Sequence, residues 1–131
     1  PNNRFYAGQI LYSKIRPSLS KAIVAPFDGL CSADMYPLDS MINSEFLLKE
    51  ILSAVFLEQV RVVENRVKMP KLNALTLSRV MVSIPPLAEQ HRIVAKVDEL
   101  MALCDTLKAR LNDAQSTQVQ LADAILEQAV A

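Results

Sequence analysis

The sequence predicts an α+β fold: a mixed α/β body over residues 1–84, followed by one long helix over residues 85–131 that pairs as a coiled coil. Three observations carry this expectation. Short apolar runs in the front portion are punctuated by proline and glycine, as strands and turns are. From Leu87 to Val130 there is neither proline nor glycine. Over that same stretch apolar residues step alternately by four and three, the spacing of a coiled-coil seam. The length of 131 residues fits one ordinary domain and little more. Hydrophobic residues at 51% against 21% charged exclude a disordered chain.

The front elements follow in order. A strand-like run begins almost at once, and Ile10-Leu11-Tyr12 forms a strand after Gly8. Ala22 to Ala25 forms another, stopped by Pro26. Phe27-Asp28-Gly29 reads as a turn, with a short strand at Leu30-Cys31. From Ser44 to Leu57 the pattern becomes helical, with Leu47, Ile51, Ala54 and Val55 on one face and Asn43 or Ser44 as the cap. Val60 to Val63 is read as a further strand, Met69-Pro70-Lys71 as a loop, and Val80 to Ile84 as the last strand before Pro85-Pro86.

The long helix starts well. Pro86 lacks an N–H where none is needed, and Glu89 sits at the positive end of the dipole. Its seam runs Ile93, Val97, Leu100, Cys104, Leu107, Leu111, Ala114, Gln118, Leu121, Ile125, Gln128, with the two glutamines as polar interruptions. With Val97 at an a position, Asp98 and Asp105 fall at b, Glu99, Asp113 and Glu127 at c, and Asp123 at f, all away from the seam. A helix of this length measures about 60 Å at 1.5 Å per residue. Such a rod needs another helix to cover its stripe. Val94, Met101, Leu103, Ala122, Ala124 and Ala129 widen the stripe near both ends, so the ends are expected to touch more than one neighbour.

Several function classes are excluded. Two glycines, Gly8 and Gly29, cannot supply a dinucleotide or P-loop phosphate cradle. One histidine, His91, cannot build a multi-histidine metal cage. Cys31 and Cys104 show no CxxC and read as reduced thiols. The longest unbroken apolar run is five residues, Leu100 to Cys104, against the roughly 20 that a bilayer span needs. No signal peptide is visible, and the start at Pro1 leads us to expect a piece of something longer. Ser18-Leu19-Ser20-Lys21 fits SxxK but lacks the companion motifs of serine acylases. His91 has no nucleophile arrangement beside it, Asp34 and Asp39 read as solvated loop acids, and Pro85-Pro86 is not preceded by Asn or Asp as a methyltransferase motif would require.

Charge divides the chain. Residues 1–86 hold 10 Lys and Arg against 7 acids, and residues 87–131 hold 4 against 7, so a net charge of zero hides a basic front and an acidic back. Arg4, Lys14, Arg16 and Lys21 occupy the first 21 residues, where no acid occurs, with Tyr6 and Tyr12 interleaved and Ser13, Ser18 and Ser20 as hydroxyl donors. Arg61, Arg66, Lys68, Lys71 and Arg79 form a second cluster around one acid, Glu64. Cations on phosphates with a few side chains on base edges suit nucleic acid. A solvated charged face is the competing reading.

At Ser83-Ile-Pro-Pro-Leu-Ala-Glu-Gln-His-Arg-Ile-Val the chain resembles the specificity (S) subunit of type I restriction-modification enzymes. There a target recognition domain ends, a PPLxEQxxI segment follows, and a long helix begins; Pro85, Pro86, Leu87, Glu89, Gln90 and Ile93 match. Gly8-Gln-Ile-Leu-Tyr-Ser-Lys-Ile-Arg-Pro17 resembles a family strand, and Met69-Pro70-Lys71-Leu72-Asn73 the loop before its final short helix and strand. The chain departs from the family at Glu64 to Lys68, where a glycine is usual. It also carries the later part of one recognition domain and one helix, where a complete subunit has two of each.

The resemblance implies a non-catalytic subunit without a cofactor of its own, working in the cytoplasm. Its recognition domain contacts double-stranded DNA, and its helix acts as a spacer. It recruits modification (M) subunits, which use S-adenosylmethionine, and through them restriction (R) subunits. The candidate DNA contacts are Arg4, Tyr12, Lys14, Arg16, Lys21, Arg66, Lys68 and Lys71. The candidate helix interface is Ile93, Val97, Leu100, Cys104, Leu107, Leu111, Gln118, Leu121 and Ile125. Family helices run antiparallel in pairs, so a chain with one is expected to self-associate as a dimer or higher. The alternative is a helical interaction module with no DNA binding of its own.

Overall fold

The computed structural model describes residues 2–64 and 72–130. Five strands come first: β1 (Asn2–Phe5), β2 (Ile10–Ser13), β3 (Ala22–Val24), β4 (Gly29–Ser32) and β5 (Met35–Leu38). Four helices follow: α1 (Ser44–Ile51), α2 (Ala54–Glu64), α3 (Ala74–Leu77) and α4 (Leu87–Val130). The architecture is α+β, as the sequence predicts, and the long helix is one unbroken element of 44 residues. The chain divides into two compact units, residues 1–94 and 95–131.

In the first unit β3-β2-β5 make an antiparallel sheet with β2 in the centre, and β1 pairs with β4 as a separate antiparallel ribbon. Every residue of β2 is buried. Its alternation feeds two cores. Ile10 and Tyr12 join Ile51, Phe56, Val60 and Leu72, while Leu11 joins Phe5 and Ala25. Gly8, at φ +87°, turns the chain from β1 into β2, and its N–H donates to Ala25 O at 2.8 Å.

Three expectations need correction. Residues 44–57 are two helices rather than one. The Ser53 hydroxyl accepts from Phe56 N at 3.2 Å and so caps a fresh start after Leu52. Val60 to Val63 is helical, not a strand. Phe56 and Val60 stand one turn apart and both enter the core, so helical packing overrides β-branched propensity. Val80 to Ile84 is not a strand either. Val80 and Val82 do pack on the core, but no strand among the described residues pairs with this segment. Instead the Gln59 side chain takes a strand's place: its amide donates to Met81 O and its carbonyl accepts from Met81 N, both at 2.9 Å. The loop expected at Met69-Pro70-Lys71 lies outside the described residues.

Pro86 opens α4 as expected, its carbonyl accepting from Glu89 N and Gln90 N. Gln90 then does what the sequence did not disclose. It is 4% exposed, its Oε1 accepts from Asn43 N at 3.0 Å, and its Nε2 donates to Pro85 O at 2.9 Å. Asn43 meanwhile caps α1 through Phe46 N at 2.8 Å. One side chain thus ties the start of α4 to the start of α1.

Candidate nucleic-acid interface

Of the first basic cluster, Arg4 lies on β1, while Lys14, Arg16 and Lys21 lie on a loop closed by Ser13 N donating to Lys21 O at 3.0 Å. Inside it, Pro17–Leu19 forms a 3-10 turn flanked by Arg16 at φ 49° and Ser20 at φ 46°. Left-handed backbone costs a non-glycine residue about 1–3 kcal/mol, so the loop is held rather than relaxed. The buried Pro17 and the packing of α2 against the turn supply the hold. Arg16 and Lys21 are both exposed.

Lys14 is placed differently. It is half-buried, its Nζ donates to Ala33 O, and it lies 4.1 Å from the Tyr36 ring centroid. Its backbone bridges two segments: its N–H donates to Asp34 O at 2.8 Å, and its carbonyl accepts from Leu72 N at 3.0 Å. Leu72 directly follows Lys71 of the second basic cluster in sequence. Arg66, Lys68 and Lys71 themselves lie outside the described residues. Arg4 is exposed, its guanidinium carbon 5.3 Å from the Tyr6 ring centroid. Arg61 is occupied by Glu58 at 2.8 Å.

Tyr12 is a correction. Its ring is 1% exposed and meets Phe56 edge-on with centroids 6.1 Å apart, so it packs the core and cannot reach a base or phosphate. The alternation that places Leu11 in one core places Tyr12 in the other.

No three His, Cys, Asp or Glu side chains gather as a metal site among the described residues, and His91 is exposed on α4. Cys31 and Cys104 are free thiols. Along the seam, Ile93 and Val97 are half-buried, while Leu100, Cys104, Leu107, Leu111, Gln118, Leu121 and Ile125 are exposed. The burial of Gln90 was missed; its place one heptad before Val97, ahead of the seam, was the available signal.

Residues 2–115 match the type I restriction modification DNA specificity domain. The chain belongs to that family. It is a family of specificity subunits and not of catalytic ones. The type I restriction enzyme EcoDI specificity subunit of Escherichia coli is 45% identical over 127 residues, covering 97% of this chain and 29% of that relative. The EcoEI specificity subunit of the same organism is 39% identical over 49 residues, covering 37% of this chain and 8% of its own length. The HsdS subunit from Thermoanaerobacter tengcongensis superposes with a TM-score of 0.76 at 25% identity, covering 88% of this chain and 32% of that one. This chain thus spans less than a third of the length of these relatives.

Proposed function

We propose that the chain serves DNA sequence specificity in a type I restriction-modification complex. The body, residues 1–84, contacts double-stranded DNA; the helix, residues 85–131, is the spacer and the docking element. Arg4, Lys14, Arg16 and Lys21 supply cations, joined by Arg66, Lys68 and Lys71. The observation that carries this reading is the Leu72–Lys14 backbone bond: it ties the residue that follows Lys71 of the second basic cluster to Lys14 of the first. Modification subunits, and through them restriction subunits, are the partners, and the site of action is the cytoplasm. No helix among the described residues is long and apolar enough to cross a membrane. The seam from Leu100 to Ile125 is the surface for self-association.

Two measurements on one preparation test this. Fluorescence titration with duplex DNA is expected to show affinity falling steeply with salt. Replacing the exposed Arg16 and Lys21 by alanine should flatten the log–log slope by about 0.9 for each phosphate these cations neutralise. Solution molar mass should show an assembly that Leu107→Glu dissociates, because the variant would bury unpaired carboxylates at the seam. The exposed stripe also favours the second reading, a helical interaction module. That reading predicts assembly without any salt-dependent DNA binding.

A further inference from the structure

The ribbon β1–β4 has two unlike faces. Inward, Phe5 and Cys31 join the smaller core, and the Asn3 amide donates to Met35 O at 2.9 Å. The Phe5 ring lies so close to Gly29, its partner across the ribbon, that a Cβ there would meet it at 2.8 Å, so the two strands pack tightly on each other. Outward stand Asn2, Arg4, Leu30 and Ser32, all exposed, with Arg4 opposite Leu30 and Asn2 opposite Ser32 in the register. Tyr6 continues that face, and its ring steadies the Arg4 guanidinium at 5.3 Å. Leu30 is 68% exposed, an apolar side chain presented to solvent from a paired strand. The nearest acids in sequence flank β4 rather than sit on it. The Asp28 carboxylate accepts from Ala7 N at 2.8 Å, and Asp34 N donates to the Ser32 hydroxyl.

We infer that this outward face is a base-reading surface that enters the DNA major groove, with Arg4 on a guanine and Asn2 on an adenine. The inference rests on the DNA reading above and adds the reading element to it. A major groove about 12 Å wide admits a two-stranded ribbon. Arginine's fork matches the two acceptors of guanine, asparagine matches adenine, and an aliphatic side chain suits the thymine methyl. Side chains two apart on one strand stand about 7 Å from each other, the rise of about two base pairs. Asn2 and Arg4 therefore address bases two steps apart on one side of the groove, and Leu30, across the ribbon from Arg4, meets a methyl beside the guanine. The four outward side chains carry a fork, an amide, a hydroxyl and an apolar contact, with no carboxylate to repel phosphate. This mixture favours a base edge over a protein surface.

Selection of the 131-residue chain against a pool of duplexes with randomised interiors tests it. The wild type should enrich a site containing guanine and adenine two positions apart. Arg4→Lys keeps the charge but loses the fork; it should bind that site at least about tenfold more weakly, with an unchanged salt slope and a relaxed guanine position. Asn2→Ala should relax the adenine position alone. If both variants enrich the wild-type site undiminished, the ribbon is overturned while the DNA reading stands. If Arg4→Lys and Arg4→Ala change the affinity of all duplexes alike, Arg4 is a phosphate contact and the ribbon again fails. A change in solution molar mass without a change in selection makes the face a protein contact and overturns the inference. A wild type that enriches nothing removes the DNA reading and the ribbon together. Matching melting curves confirm that the variants fold.

Discussion

The body and the far part of the helix use similar side chains to opposite effect. In the body, Ile10, Tyr12, Phe46 and Val60 are all but sealed from water, and two cores share the single strand β2. Beyond Val97, every residue of the described helix is exposed, and Leu111 stands 67% exposed. The contrast teaches that apolar content is no guide to where stability resides. The body is stabilised by packing within this chain. From Leu100 onward the apolar seam of the helix is exposed among the described residues, and the proposed cover is another helix.

A pair of truncations sharpens that contrast most strongly. Phe56→Ala removes a buried ring that meets Tyr12 and should lower the unfolding free energy by about 3–5 kcal/mol. Leu111→Ala deletes a side chain of similar hydrophobic character from an exposed site. In dilute, dissociated protein it should change the unfolding free energy by no more than about 0.5 kcal/mol. A large loss for Leu111→Ala in the monomer would mean that the seam is covered from within.

Gln90 lies where the contrast softens, on α4 but buried. Gln90→Leu keeps the bulk and leaves Asn43 N–H and Pro85 C=O without their partner. An unsatisfied buried backbone group costs about 1–3 kcal/mol. Chemical denaturation should show a loss of about 2 kcal/mol, and hydrogen exchange should quicken at Asn43 while the middle of α4 is unaffected. Unchanged protection at Asn43 would sever the link between the two helix starts.

These residues also show what a sequence discloses. The helix α4 was legible because period, length and missing breakers all agree over 44 residues. Strands β2 and β3 were legible because Gly8 and Pro26 punctuate them. Strand β5 was not, since Pro37 argues against a strand until one knows that β5 lies at a sheet edge, where a missing donor costs nothing. The segment Val80 to Ile84 shows a subtler limit. Its alternation correctly reports that Val80 and Val82 face the core, yet alternation cannot report what binds the backbone, and a glutamine side chain does so. At the candidate interface, Arg4, Arg16 and Lys21 are exposed, which a solvated charged face would give as well. Tyr12 was misjudged because aromatic interleaving looks the same whether a ring faces solvent or a second core.

The smallest expected effect probes the first turns of α4, which belong to the body's unit. Arg92 forks onto Glu89, Nε to Oε2 at 2.7 Å and Nη2 to Oε1 at 2.5 Å. This hydrogen bonding holds the Glu89 carboxyl below its ordinary range; burial opposes the shift, and the guanidinium charge adds to it. The carboxyl also stands at the helix N-terminus, where the dipole favours an anion. Because the folded pKa is depressed, the stabilising contribution is present above the unfolded value of about 4.3 and is lost as pH falls through the lower folded value. Arg92→Gln should therefore raise the Glu89 midpoint, read from its side-chain carbon resonance in an NMR titration. It should also reduce the acid sensitivity of the first helical turn while leaving neutral-pH melting nearly unchanged, since the pair is solvent-exposed and screened. A midpoint that stays low in the variant would transfer the credit from the guanidinium to the helix end itself.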